Sequence, residues 1–155
     1  MKVLVTGANG FIGSNLVSRF GVQNDIEVIK FTRESTIDDL RIMLSEVDFI
    51  CHTAGVNRSK DKNQFAKVNA DLTKILCNEV QKVGRFIPIL FTSSVHAGRD
   101  DKYGESKLSA ENELLKYSSS NNTPVFIFRL PHVIGKWCRP NYNSVVSTFC
   151  YNIAR

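Results

Sequence analysis

Apolar residues in this chain fall in short runs, first at Val3-Leu4-Val5 and then over 26–31, 47–53, 86–92 and 124–130. Runs of this length, bounded by polar and turn-forming residues, predict five strands. Between them the apolar positions recur at helical spacing, which predicts helices over about 11–20, 36–46, 64–83 and 104–119. A further helix is expected from Val145, behind Ser144, whose hydroxyl suits an N-cap. Strands alternating with helices imply an α/β fold, a parallel sheet with helices on both faces. Only residues 32–46 separate the second strand from the third, which leaves room for one helix and no extra strand. The sheet is therefore expected to have one strand fewer than usual on that side. Within 64–83, Phe65, Val68, Leu72, Ile75, Leu76 and Val80 form one apolar face, suited to packing on the sheet. Ser118-Ser119-Ser120-Asn121-Asn122 is expected to be a surface loop.

At 155 residues the chain amounts to a single domain, large enough to fold without disulfides or metal. Its 43% hydrophobic and 23% charged residues are those of a soluble globular protein. A net charge of +5 suits an anionic ligand, but no dense basic run argues for nucleic acid. Cys51, Cys77, Cys138 and Cys150 lack Cys-x-x-Cys spacing, and the first two lie in apolar segments, so buried free thiols are expected. His52, His96 and His132 are scattered and suggest no metal site. The first strand starts almost at once, with no room for a signal peptide, and no apolar run nears the roughly 20 residues of a membrane span. A cytoplasmic protein is the expectation.

Residues 3–13 carry the first chemical signal, because the opening strand leads straight into Gly7, Gly10 and Gly13 and then into a helix. A dinucleotide-binding turn has this layout: a tight turn at the first glycine, close approach of a pyrophosphate at the second, and close helix–strand packing at the third. An anion would sit at the helix start, on the backbone of Asn9, Gly10, Phe11, Ile12 and Gly13, facing unpaired N–H groups and the positive end of the dipole. A glycine triplet alone also fits an ordinary strand–turn–helix. The fold predicted is thus Rossmann-like, with residues 1–155 as an NAD(P)-binding domain. Cofactor choice is expected at the end of the second strand, where an acidic residue would suit NAD and an arginine the 2′-phosphate of NADP. Arg33 lies twenty residues after Gly13, with Lys30 nearby and no acidic residue before Glu34, so NADPH is favoured; the alternative is a solvated loop arginine. Arg58, in the loop after Ala54 and Gly55, is a second phosphate candidate.

Tyr103 and Lys107 are four residues apart at the start of a predicted helix and share a face. Upstream, Thr92-Ser93-Ser94 ends a predicted strand and places hydroxyls at the carboxyl edge of the sheet, where open α/β folds bind ligands. Such serines can also simply end a strand.

Taken in order, Thr6-Gly7-x-x-Gly10-x-x-Gly13, His52-Thr-Ala-Gly55, Val68-Asn69, Thr92-Ser-Ser94 and Tyr103-x-x-x-Lys107 resemble the extended short-chain dehydrogenase/reductases. This is the family of nucleotide-sugar epimerases, dehydratases and reductases. The stretch from Arg129 through Pro131-His132-Val-Ile-Gly135 to Arg155 is similar to its capsular-polysaccharide UDP-sugar reductases, the CapF type. The resemblance implies reduction of a UDP-4-keto-6-deoxy-N-acetylhexosamine. Tyr103 would protonate the carbonyl oxygen while hydride adds to the carbon; Lys107 would assist that proton and bind the nicotinamide ribose; Ser94 would hold the carbonyl. Asn69 matches an asparagine that supports the lysine through water, or else faces solvent. Ala54 and Gly55 would border the cofactor. Relatives also pair as homodimers through the helices matching 64–83 and 104–119.

Two departures stand out. His132, beside the substrate in relatives, replaces their usual asparagine, so its hydrogen bonding there would depend on pH. Residues 144–155 suggest an amphipathic helix without a C-cap, whereas relatives continue into a substrate lobe and, in the CapF type, a metal-binding cupin domain. The expectation is a truncated chain lacking both. Two other functions stay open: an epimerase or dehydratase that retains NAD, and a dinucleotide-binding module without catalysis.

Overall fold

A computed structural model describes all 155 residues. The strands are β1 (Lys2–Thr6), β2 (Glu27–Phe31), β3 (Phe49–His52), β4 (Ile89–Ser94) and β5 (Val125–Leu130). They form one parallel sheet in the order β2-β1-β3-β4-β5. The helices are α1 (Phe11–Phe20), α2 (Ile37–Leu44), α3 (Asn63–Phe65), α4 (Leu72–Val83), α5 (Lys102–Asn121) and α6 (Val145–Ile153). A π-helical stretch, Ala66–Asp71, joins α3 to α4.

The chain leaves β1 for β2 on one side and returns to place β3 on the other. Connections after β1 and β3 therefore diverge and open a crevice at the carboxyl edge of the sheet, the usual ligand position in such folds. A single helix, α2, spans the link from β2 to β3, as the short separation requires.

Side-chain alternation along the strands divides the core in two. On one face Leu4, Ile50, Ile89 and Phe91 pack with Leu40 and Leu44 of α2, Leu76 and Val80 of α4, and Ala110, Leu114 and Tyr117 of α5. The Tyr117 hydroxyl satisfies itself by donating to the Ile87 carbonyl at 2.9 Å. The other face joins Val3, Val5 and Cys51 to Leu16, Val17 and Phe20 of α1. Beyond α1 this face is open: Phe126 and Phe128 are 47% and 49% exposed, with Phe49 stacked on Phe126 at 6.3 Å. No side chain of α6 is buried, and the apolar Val145, Phe149 and Ile153 of the expected amphipathic helix stand 62%, 61% and 85% exposed. No helix is long and apolar enough to cross a membrane.

Local chemistry sets the helix starts. Thr36 Oγ1 accepts from the Asp39 N–H at 3.1 Å and the Asp39 carboxylate accepts from the Thr36 N–H at 2.8 Å, a reciprocal capping box for α2. Asp101 Oδ1 accepts from the Gly104 N–H at 2.7 Å and starts α5. Ser144 Oγ accepts from the Ser147 N–H at 3.1 Å, as expected for α6.

The structure corrects three expectations of detail. Strand β4 begins at Ile89, behind Pro88, and runs on to Ser94, because Ser93 and Ser94 pair in register with Arg129 and Leu130. The polar Ser118–Asn122 stretch is the last turn of α5, not a loop. There Ser119 Oγ and Asn121 Nδ2 donate to the carbonyls of Leu115 and Tyr117, and Asn122 ends the helix at φ 48°. Finally, 64–83 is not one uniform helix, since the π-helical stretch interrupts it around Asn69.

Candidate functional site

The glycine turn lies at the crevice between β1 and β3. Gly7 has φ +64°, and a Cβ there would come within 2.7 Å of the Ala54 backbone. A Cβ at Gly13 would come within 2.9 Å of Ala8 Cα, so α1 can approach β1 only through a glycine. Gly10, by contrast, is exposed, and a Cβ there would touch only the Gly7 carbonyl, at 3.0 Å. It is also the N-cap of α1, with no side chain capping the helix and no acidic residue in its first turn. The first N–H groups of α1, on Phe11, Ile12 and Gly13, thus face an open approach beside exposed Asn9, a setting suited to a phosphate.

The β2 edge of this crevice carries Arg33. The Gly7 N–H donates to the Phe31 carbonyl at 3.0 Å, tying the end of β2 to the turn. Thr32 and Ser35 fix the next residues: Ser35 Oγ accepts from the Thr32 N–H at 3.1 Å, and Thr32 Oγ1 from the Glu34 N–H at 3.3 Å. Arg33 projects from this loop exposed and forms no ion pair. Arg58 lies apart from it, 5.3 Å over the Tyr142 ring, where the Tyr142 hydroxyl donates to Asn57 at 3.2 Å.

Beneath the turn, His52 is fully buried and links three elements. The Thr6 hydroxyl accepts from the Ala54 N–H at 3.2 Å, leaving its proton for His52 Nδ1 at 2.7 Å. Thr73 donates its own proton to the Asn69 carbonyl at 2.6 Å, so at 2.9 Å from His52 Nε2 it must accept. These partners are fully satisfied by a neutral imidazole protonated on Nε2. Burial, and then the nearby Lys107 charge, push its pKa down to about 3.

Asn69 is buried, so the solvent-facing alternative does not hold. Its Oδ1 accepts from the Val56 N–H at 2.8 Å, while Nδ2 donates to the Val56 carbonyl and to Ser106 Oγ, each at 3.0 Å. Ser106 in turn donates to the Tyr103 carbonyl at 2.7 Å. A single asparagine in the π-helical stretch therefore clamps the loop after β3 to the first turn of α5. Single π turns often mark functional positions.

Lys107 is buried, and its ammonium donates to the Thr92 carbonyl at 2.9 Å while lying 4.7 Å over the Phe91 ring. Burial pulls its pKa down to about 8, against the opposing charge of Glu111. A Cβ at Gly55 would approach Asn69 Oδ1 at 3.1 Å and Lys107 Nζ at 3.4 Å, so a glycine keeps the space above the ammonium open. Tyr103 is half-buried, edge-on to Phe65 at 6.0 Å and to His96 at 6.4 Å. Ser94, buried at the end of β4, accepts from the His96 N–H at 3.1 Å. Ser94 thus ends β4, Lys107 reaches back to the Thr92 carbonyl of the same strand, and Tyr103 and Ser94 both border His96, by its ring and by its N–H. His132 lies further out, exposed, with Nε2 at 3.3 Å from the buried Ser144 hydroxyl.

Sequence reasoning passed over three contributors. Gly104 lets α5 start against the 96–99 turn, where a Cβ would meet the His96 carbonyl at 2.6 Å. Ser106 extends the hydrogen bonding of Asn69, and the buried Glu111 pairs with the exposed Arg129. For Glu111 a signal existed: it lies four residues beyond Lys107, on the same helix face.

A glycine turn at the switch point of a parallel sheet, with serine on β4 and tyrosine and lysine on α5, defines an α/β domain of the dinucleotide-binding class. The description "NAD dependent epimerase/dehydratase family" matches residues 3–155, and the chain belongs to that family. A curated relative, the UDP-2-acetamido-2,6-beta-L-arabino-hexul-4-ose reductase of Pseudomonas aeruginosa, is 52% identical over all 155 residues. Among solved structures, the capsular polysaccharide assembling protein CapF from Staphylococcus aureus superposes with a TM-score of 0.85 at 39% identity, over the whole chain. The chain spans 42% of the length of each of these two. A UDP-glucuronic acid 4-epimerase from Bacillus cereus, solved with NAD, shares the fold at TM-score 0.84 and 22% identity, over 99% of this chain and 62% of its own.

Proposed function

We propose that this chain is the cofactor-binding and catalytic part of an NADPH-dependent reductase of a UDP-4-keto-6-deoxy-N-acetylhexosamine, serving capsule or O-antigen synthesis. The observation that carries the reading is the buried Lys107 ammonium, held on the Thr92 carbonyl near the end of β4, with Tyr103 one helical turn before it on α5. Similarity to a reductase named for a hexul-4-ose substrate supplies the substrate class.

Gly7, Asn9, Gly10, Phe11, Ile12 and Gly13 would hold the pyrophosphate, with Ala54, Gly55 and Asn69 bordering the nicotinamide half and Arg58 a secondary phosphate contact. Bound NADPH supplies the hydride. Ser94 donates a hydrogen bond to the keto oxygen, and Tyr103 passes its phenolic proton to that oxygen as the carbon is reduced, so an alcohol forms without a free alkoxide. Lys107 stabilises the phenolate left behind and binds the nicotinamide ribose. His132 would lie toward the sugar. Arg33, exposed and without an ion pair, is assigned to the 2′-phosphate, where a charge-assisted contact contributes about 1.5–3 kcal/mol. Buried free thiols at Cys51 and Cys77 fit a reducing, cytoplasmic setting. A homodimer through α4 and α5 would cover the partly exposed Ile75, Leu108 and Leu115; sedimentation that stays monomeric at all concentrations would remove that contact.

The test joins this chain to the remaining part of the Pseudomonas relative and follows NADPH oxidation with the keto sugar. Tyr103→Phe should lower turnover by about 10²–10⁴-fold while leaving NADPH affinity intact. Unchanged turnover would refute the assignment, and NAD⁺ that co-purifies and resists exchange would point to the epimerase or dehydratase alternative.

A further inference from the structure

Lys107 is the only buried lysine or arginine in the molecule. The groups nearest to it come from β4, β3 and the π-helical stretch as well as from α5 itself. From β4 come the Thr92 carbonyl and the Phe91 ring; from β3, the neutral His52; and from the π-helical stretch, the uncharged Asn69. On α5 itself are Tyr103 and Glu111. None of these except Glu111 can offset a buried ammonium by charge.

Glu111 is buried in its turn and is held from two strands. Ser93 Oγ of β4 donates to its Oε1 at 2.5 Å. Arg129 of β5 binds both carboxylate oxygens, through Nε at 3.0 Å and Nη2 at 2.6 Å. Burial favours the neutral acid, yet the bonds from Arg129 and Ser93 prevail and hold the carboxyl below its ordinary range. The result is a row of alternating charge from the sheet edge inward: Arg129, Glu111, Lys107.

We propose that Glu111, oriented by Ser93 and Arg129, is a positioning residue that keeps Lys107 protonated at neutral pH. This rests on Lys107 being the charged partner of Tyr103. Glu111 touches neither substrate nor cofactor in this role and acts only through the lysine. Arg129 has a double effect: it fixes the carboxylate and also attenuates the negative charge that Lys107 meets.

The two partners of this ion pair therefore make opposed predictions. Glu111→Gln preserves size and the contact with Ser93, removes the negative charge and leaves Arg129 behind. Lys107 should then lose its proton at a pH lower by about one unit. Arg129→Gln leaves the carboxylate less neutralised, and Lys107 should lose its proton at a pH higher by a comparable amount. A purely structural pair would instead give losses of stability in both variants and no opposed titration. The readout is the pH dependence of the lysine ε-methylene carbon and proton resonances in the cofactor-free 155-residue chain, with Lys107→Arg identifying the signal. Opposed displacements support the proposal. Displacements of the same sign, or none, overturn it. Should Glu111→Gln fail to fold, Arg129→Gln still decides, since a fall or no change in that variant refutes the coupling. No cofactor is present, so opposed shifts in a chain that fails to bind NADPH would overturn the functional reading and leave the coupling standing.

Discussion

Gly7 and Gly10 differ by only three positions, yet the structure gives them separate tasks. At Gly7 the left-handed backbone and the 2.7 Å approach to Ala54 make any side chain costly. Gly7→Ala should destabilise the chain by at least about 1–2 kcal/mol, measured as a lowered urea midpoint with unchanged slope. At Gly10 a methyl group meets little protein, so Gly10→Ala should leave that midpoint nearly unchanged and weaken dinucleotide binding. His52 supplies a residue-level pH test. Its folded pKa of about 3 lies below its ordinary value near 6.5, so the unfolded chain binds the extra proton between those limits. Its contribution is complete above pH 6.5 and is lost as pH falls, by up to about 1.4 kcal/mol per pH unit. A flat stability profile between pH 7 and pH 5 would contradict its burial as a neutral ring. The glycine spacing and the Tyr103–Lys107 pair were legible because each depends on local spacing. The roles of His52 and Ser106 were not, because their buried partners Thr6, Thr73 and Asn69 lie 21 to 46 residues away, and the spacing of Glu111 from Lys107 gave no sign of Arg129.

Helix α2 and helix α4 are joined by a buried carboxylate, and this tie makes acid stability a property of elements. Glu79 receives Arg41 Nε at 2.5 Å and Lys82 Nζ at 2.7 Å, which together hold its pKa down to about 2. A carboxyl depressed on folding stabilises the protein above its ordinary pKa, near 4.5, and that contribution fades as pH falls from there toward 2. Glu79→Gln should flatten this part of the stability–pH curve; an unaltered acid limb would contradict the tie. At the other end of α2, Thr36→Ala removes one half of the capping box and should cost about 1 kcal/mol in thermal or urea unfolding. The helix positions followed from spacing and polarity, but two features escaped that logic. Asn121 prolonged α5 by bonding back to Tyr117, where composition suggested a loop. The π-helical turn at Asn69 depends on contacts with Val56 and Ser106 that no local pattern reveals.

At the scale of the whole molecule, alternation alone predicted a parallel sheet, and the short β2–β3 link predicted its missing strand. The strand order then places the glycine turn, the Thr53–Gly55 loop and the Ser94–Lys107 cluster along one carboxyl edge. Periodicity did not reveal how unevenly the two faces are covered. Phe126 and Phe128 look like core residues in the sequence, yet α1 does not extend far enough across the second face to cover them. Along this edge a phosphorylated dinucleotide is proposed to bind. Titrating the chain with NADPH and NADH, followed by nicotinamide fluorescence, tests this most directly. One saturable site is predicted, tighter for NADPH, with about a tenfold or greater loss of NADPH affinity in Arg33→Ala and little change for NADH. A folded chain that binds neither dinucleotide would contradict the claim, and equal losses for both in Arg33→Ala would contradict the NADPH assignment.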